Sequence, residues 1–293
     1  MTLRPVYGLM MLLAALACGR ASPSPTAATV VDDAGDSVAV RTPARRVVSL
    51  IPATTELLFA IGAGADVVGR STWCDYPAEA ARVPNLGDGI NPNVEAILAA
   101  RPDLVVLYNS AQHAAVSARL RGLGVPTLRI NTDRLADVGR VGRLLGGLTG
   151  RVRSADSLAA AFDTALAAAT VSPAPGGRPT VLLLVWEQPP MTIGRGSFLN
   201  ELIERAGGEN LFADVTASAG PVSIEAVATR DPDFIFTTTD GPSSFARRPE
   251  WQVVRAVRQR RFLRVNGSEF NRPGPRSPWA IRELGRRLRT VAR

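Results

Sequence analysis

His113 is the lone histidine in this 293-residue chain, so any Ser/His hydrolase or clustered metal site would have to be built around it. No G-x-S-x-G occurs, and His113 stands in a polar helix start with no orienting partner beside it in sequence, which argues against a hydrolase. A bare zinc or manganese site, which needs several His and carboxylate ligands, is disfavoured on the same ground. The remaining chemistry-bearing residues are of types that bind rather than react. Arg70–Pro77 reads RSTWCDYP, an aromatic and polar loop placed where an α/β sheet presents its strand ends to ligands. A strand at 104–107 ends in Tyr108, Asn109 and Ser110, and another at 180–186 ends in Trp186, Glu187 and Gln188. The GRGSF segment from Gly194 could cradle an anion at a helix start, but it is not a Walker motif.

These loops need strands and helices to hold them, and the chain repeats the units that would do so. VEAILAARPDLVVLY, from Val94, and IEAVATRDPDFIFTT, from Ile224, each place a Glu (Glu95, Glu225) seven residues before a Pro-Asp pair. Each reads as a short helix, a Pro-Asp turn and an apolar strand. Upstream of them TELLFAIGAG and NELIERAGGEN repeat a Glu six residues before a Gly (Glu56 to Gly62, Glu201 to Gly207), both after an apolar strand. Glu56 and Glu201 read as interior helix positions with a structural role. Between the halves, 151–172 has an apolar stripe of Val152, Ala155, Leu158, Ala159, Phe162, Leu166 and Ala169, predicting one long helix stopped by Pro173 and Pro175. Two strand-helix-helix-strand units around one helix predict an α/β protein of two related Rossmann-like lobes.

The expected division is an export signal over 1–18, a flexible tether and edge hairpin over 19–44, and an N-terminal lobe over 45–150. A bridging helix follows over 151–172, then a C-terminal lobe over 173–293. Apolar content of 46% with 20% charged residues excludes a disordered chain. The net charge of +8 comes from arginine alone, since no lysine occurs, and the scattered arginines read as a solvated face rather than a nucleic-acid surface. Arg4, a short apolar run and small residues up to Cys18 form an export signal too short to span a bilayer. Ala15-Leu16-Ala17-Cys18 resembles the lipobox of bacterial lipoproteins, with Ala15 where Leu is usual, which implies lipidation of Cys18 or cleavage nearby. Cys74 is then a lone thiol.

Taken in order, RVVSLIPATTELLFAIGAG, WCDYP, NPNVEAILAARPDLVVLY, IGRGSFLNELIERAGGEN, VSIEAVATRDPDFIF and FNRPGPR resemble the substrate-binding proteins of ABC importers for vitamin B12, iron siderophores and haem. The resemblance implies two α/β lobes joined by a rigid helix, with the ligand in the cleft between them and no enzymatic activity or resident cofactor. CDYP and NPNVEAI are most similar to the cobalamin-binding branch, implying a corrinoid ligand, with a siderophore or haem as the alternative. It also implies ligand contacts at Trp73, Tyr108 and Trp186, cleft-facing positions at Ser268, Phe270 and Arg272, and docking of Glu95 and Glu225 on permease arginines. The implied partners are a permease dimer with its ATPase subunits, and the implied setting is outside the cytoplasm, anchored through the lipid on Cys18, as a monomer. The chain departs from that branch in having Gly87, Asp88 and Ala219 where tryptophans are expected. For haem, Tyr76, Tyr108 or His113 would be the iron ligand; for a siderophore, Arg272 or Arg195 would serve. A sensor that feeds no transporter is a further alternative.

Overall fold

The computed structural model describes residues 26–172, 177–238 and 244–291. A hairpin of β1 (Thr26–Val31) and β2 (Ser37–Thr42) comes first. Its first strand runs from Thr26, because Thr26 to Thr29 pair in register with Ala39 to Thr42. The hairpin is tied down by charge. Arg121 pairs with Asp32 at 2.7 Å, Arg140 with Asp33 at 2.8 Å and Arg129 with Asp36 at 2.9 Å.

The first lobe then runs β3 (Val47–Ser49), α1 (Pro52–Ala60), β4 (Val67–Arg70), α2 (Val94–Ala99), β5 (Leu104–Tyr108), α3 (Ala111–Gly122), β6 (Thr127–Ile130) and α4 (Leu135–Thr149). Its strands lie in the order β4-β3-β5-β6, all parallel. Strands covered on both faces carry unbroken apolar runs, which is why LVVLY in β5 lacks alternation. Helix α3 begins at Ala111, since Ser110 accepts a bond from the His113 amide and caps it.

Helix α5 (Val152–Ala169) follows, and the second lobe comes after it. It comprises β7 (Thr180–Glu187), β8 (Pro190–Ile193), α6 (Phe198–Arg205), β9 (Glu209–Asn210), β10 (Ala219–Pro221) and α7 (Ile224–Arg230). After these come β11 (Phe234–Thr237), α8 (Arg255–Arg258), β12 (Phe262–Arg264), α9 (Ser268–Asn271) and α10 (Ser277–Val291). Its sheet has the order β10-β8-β7-β11-β12, with β9 beside β7. Strands β7, β11 and β12 are parallel, whereas β8 runs antiparallel to its neighbours β7 and β10, so this lobe is not a copy of the first.

The two Pro-Asp turns nevertheless do the same work in both lobes. Arg101 and Asp231, the residues before each proline, both adopt left-handed backbone, at φ 45 and 46. The aspartate that follows accepts backbone amides where the neighbouring strand begins. Asp103 takes those of Arg45 and Arg46 at 2.9 and 3.0 Å, and Asp233 takes that of Thr180 at 2.9 Å.

Helix α5 buries Ala155, Ala159, Phe162 and Ala169, while Val152, expected in the stripe, stands in solvent. It packs on α4 so closely that a Cβ on Gly146 would lie 2.4 Å from that of Ala155. One apolar core runs without a break from Val106 and Leu57 of the first lobe, through Leu145 and Phe162, to Leu202, Phe234 and Ile281 of the second. Smaller cores cover the outer faces, with Ile97, Val105 and Leu120 in the first lobe and Ile235, Phe245 and Trp251 in the second.

Candidate functional site

The carboxyl ends of the first lobe's strands and the loops of the second lobe enclose a cleft of about 440 Å³. The first lobe contributes Ile51 to Ala53 after β3, Trp73 and Asp75 after β4, and Thr132 and Asp133 after β6. The second lobe contributes Gly196 to Phe198, Ser218, Ser268 and Asn271 to Pro273. Strand ends are where backbone donors and loop side chains are free to meet a ligand, and the volume suits a small-molecule site.

Trp73 lines the cleft and is 60% exposed. Arg272 comes from the opposite lobe and spans the gap. It donates to the Trp73 carbonyl at 3.3 Å and to the Asp75 carboxylate, with buried Glu56 behind it at 3.5 Å. Ser268 lines the cleft, its hydroxyl 3.0 Å from Arg276. Phe270 does not face the cleft as the sequence led one to expect. It is 2% exposed and packs in the shared core against Trp279, with centroids 6.3 Å apart. Helix α9 is a single turn, and residues two apart on a helix point to nearly opposite sides, so Ser268 in the cleft puts Phe270 in the core.

Tyr108 lies behind the cleft wall and donates its hydroxyl to Asp133 at 2.7 Å. Burial, and then the Asp133 carboxylate, push its phenol up to about 12. Trp186 sits apart from the cleft, bordering a separate depression of about 300 Å³ with Glu187, Gln188 and Thr237. Its indole N–H is held by the Gln188 carbonyl at 2.6 Å. Of the aromatic contacts expected from the sequence, Trp73 alone lines the cleft with Arg272 and Ser268.

Glu95 and Glu225 stand in the first turns of α2 and α7, helices capped alike by Asn93 and Ser223. Glu95 is open to solvent and pairs loosely with Arg119 at 3.1 Å. Glu225 is exposed too, and its own backbone amide with the Ser223 hydroxyl keeps the carboxyl below its ordinary range. Cys18 lies outside the described residues. Cys74 is a buried free thiol, in contact with the Thr55 hydroxyl at 3.1 Å.

Both glycines of GRGSF are needed for a backbone crossing. A Cβ on Gly194 would lie 2.2 Å from the Ala217 carbonyl oxygen, and one on Gly196 2.8 Å from that of Thr216. His113 is buried, with Nδ1 2.9 Å from the Tyr108 carbonyl and Nε2 3.1 Å from the Ile90 carbonyl. Tyr76 lies outside the cleft lining, its ring covered by the Arg276 guanidinium at 3.8 Å.

The structural role read for Glu56 and Glu201 from the sequence is to join the lobes, which the sequence did not reveal. Glu56, from α1, accepts two bonds from Arg276, at 3.0 and 2.9 Å. Glu201, from α6, bonds the Arg134 guanidinium and accepts the Leu135 amide at 3.2 Å. Their matched positions in the sequence repeat were the available signal.

Two α/β lobes facing each other across a solute-sized cleft have the layout of a solute-binding protein. Residues 47–267 match the periplasmic binding protein family, and the chain belongs to it. It is 30% identical over 267 residues to an uncharacterized ABC transporter substrate-binding lipoprotein, YvrC, of Bacillus subtilis, covering 87% of this chain and 83% of that one. It is 29% identical to a vitamin B12-binding protein of Vibrio parahaemolyticus, covering 86% and 92% of the two chains. Among solved structures, the apo periplasmic heme-binding protein RhuT of Roseiflexus sp. RS-1 superposes with a TM-score of 0.74 at 28% identity, covering 85% and 99%. The protein is thus a substrate-binding component of an ABC transporter, a class that works with a membrane permease and its ATPase.

Proposed function

We propose that the protein captures a corrinoid, with cobalamin as the natural candidate, and delivers it to its permease. The observation that carries this reading is the make-up of the cleft. Trp73 offers a face for stacking a flat macrocycle, while Thr132, Ser197, Ser218, Ser268 and Asn271 surround it with groups able to bond peripheral amides. Among the described residues lining it there is no His, Tyr, Cys or Met to take an iron. A corrinoid carries its own axial ligands and asks for none. For haem, the Tyr108 phenol is raised to about 12 and bonded to Asp133, both His113 nitrogens face carbonyls, and Tyr76 lies outside the cleft lining. For a siderophore, Arg272 is already occupied by Glu56 and Asp75.

In this reading 45–150 and 173–293 act as the two lobes, with the helix between them as a stiff spacer. Glu95 and Glu225 set the loaded protein on the permease, and lipid on Cys18 keeps it at the membrane, so that weak docking suffices. Membrane fractionation of Cys18→Ala, which should release the protein, tests the anchor. The ligand is tested by titrating purified protein with cyanocobalamin, ferrichrome and haem while following tryptophan quenching. Cyanocobalamin should bind tightest, and Trp73→Ala should weaken it about tenfold, as for an aromatic anchor at the centre of a site. Tighter binding of haem or ferrichrome would overturn the corrinoid assignment.

A further inference from the structure

The repeat that places Glu56 in α1 and Glu201 in α6 puts each where it reaches the other lobe, and both reach segments that line the cleft. Glu56 is almost wholly buried and grips Arg276 through both carboxylate oxygens; Arg276 in turn bonds the Ser268 hydroxyl at 3.0 Å. The same carboxylate stands 3.5 Å from Arg272, the residue that spans the gap to Trp73 and Asp75. Gly274 makes room for it, since a Cβ there would come 3.2 Å from Glu56 Oε1. In the opposite direction, Glu201 holds the Leu135 amide and the Arg134 guanidinium, at the end of the segment carrying Thr132 and Asp133. Asp137 ties that segment from its own lobe through the Asp133 and Arg134 amides, both at 3.0 Å.

We propose that Glu56 and Glu201 are positioning residues, a reciprocal pair in which each lobe holds a cleft-lining segment of the other and so sets the width of the cleft and the ligand that fits it. The link through Glu56 is rigid, because its carboxylate is almost wholly desolvated and is held by Arg276 with Arg272 close by. The link through Glu201 is yielding, because the Arg134 side chain is about half in solvent and its attraction is screened. Any rocking of the lobes therefore pivots about the Glu56 side and stretches the Glu201 side.

The test needs no ligand. Hydrogen exchange of the full chain should show residues 131–136 exchanging about tenfold faster in Glu201→Ala, with β5 and α5 unchanged. Glu201→Gln keeps an acceptor for the Leu135 amide and should restore most of the protection. Glu56→Ala should speed exchange in residues 268–276 in the same way, from the other side. Wild-type exchange in both segments would overturn the proposal, and so would acceleration spread evenly over the chain, which is general destabilisation. A second readout rests on the corrinoid reading: cyanocobalamin should dissociate about tenfold faster from Glu201→Ala, with Glu201→Gln closer to wild type. If wild type does not bind cyanocobalamin, that reading fails while the exchange result still decides the links.

Discussion

Alkaline titration of Tyr108 gives a direct measure of how the cleft wall is built. The chain has three tyrosines, Tyr7, Tyr76 and Tyr108, and no lysine, so few side chains other than phenols ionise at high pH. Burial, and then the bond to Asp133, raise the Tyr108 phenol from 10.0 to about 12. At about pH 11 an ordinary phenol is roughly nine-tenths ionised, whereas one raised by about two units is roughly one-tenth ionised. The near-ultraviolet tyrosinate absorbance of wild type minus Tyr108→Phe should therefore be about a tenth of one tyrosinate in the folded protein, and about nine-tenths after unfolding in guanidinium at the same pH. The folded value lies above the unfolded one, so the native state holds this proton more tightly. The stability it contributes is complete below about pH 10 and is lost as the pH rises through about 12. Asp133→Asn should lower the midpoint only in part, because burial is the larger cause. A full tyrosinate signal from folded Tyr108 at about pH 11 would refute the half-buried, Asp133-bonded phenol, and with it the case against Tyr108 as an iron ligand.

Replacing Glu95 and Glu225 together with Ala should leave cyanocobalamin affinity unchanged and abolish uptake in whole cells; a loss of affinity would place them at the cleft instead. Phe162→Ala, at the centre of the shared core, should cost about 3–5 kcal/mol in urea unfolding. Gly146→Ala should also destabilise, since the new methyl would lie 2.4 Å from the Ala155 Cβ. Arg286 and Arg287 hold the Glu283 carboxyl down to about 2 from 4.5. Its contribution is present above the unfolded value and is lost as the pH falls toward about 2, so Glu283→Gln should flatten the acid limb of a stability profile over that window.

Much of this architecture could be read from the chain because local chemistry and tertiary role coincide. The unbroken run LVVLY signals a strand covered on both faces, and the paired Pro-Asp turns signal one device used twice, which the left-handed Arg101 and Asp231 show to be so. The cleft between Trp73 and Arg272 was legible from the family resemblance at WCDYP and FNRPGPR. What escaped has a common cause: it depends on partners far away in sequence. Glu56 looks like any helix-interior glutamate until the chain returns more than two hundred residues later with Arg272 and Arg276. Phe270 follows from the direction of one helical turn, which no period can reveal in four residues. Strands β8, β9 and β10 are too short to alternate, and their pairing is visible only once the second sheet exists.

The unbroken apolar core around α5 also governs how this molecule can change its choice of cargo. Two halves fused through their interiors cannot swing apart like a trap, and heat should melt them in a single step rather than one after the other. Adaptation to a new solute is therefore confined to the rim, where side chains can be exchanged without touching the joint.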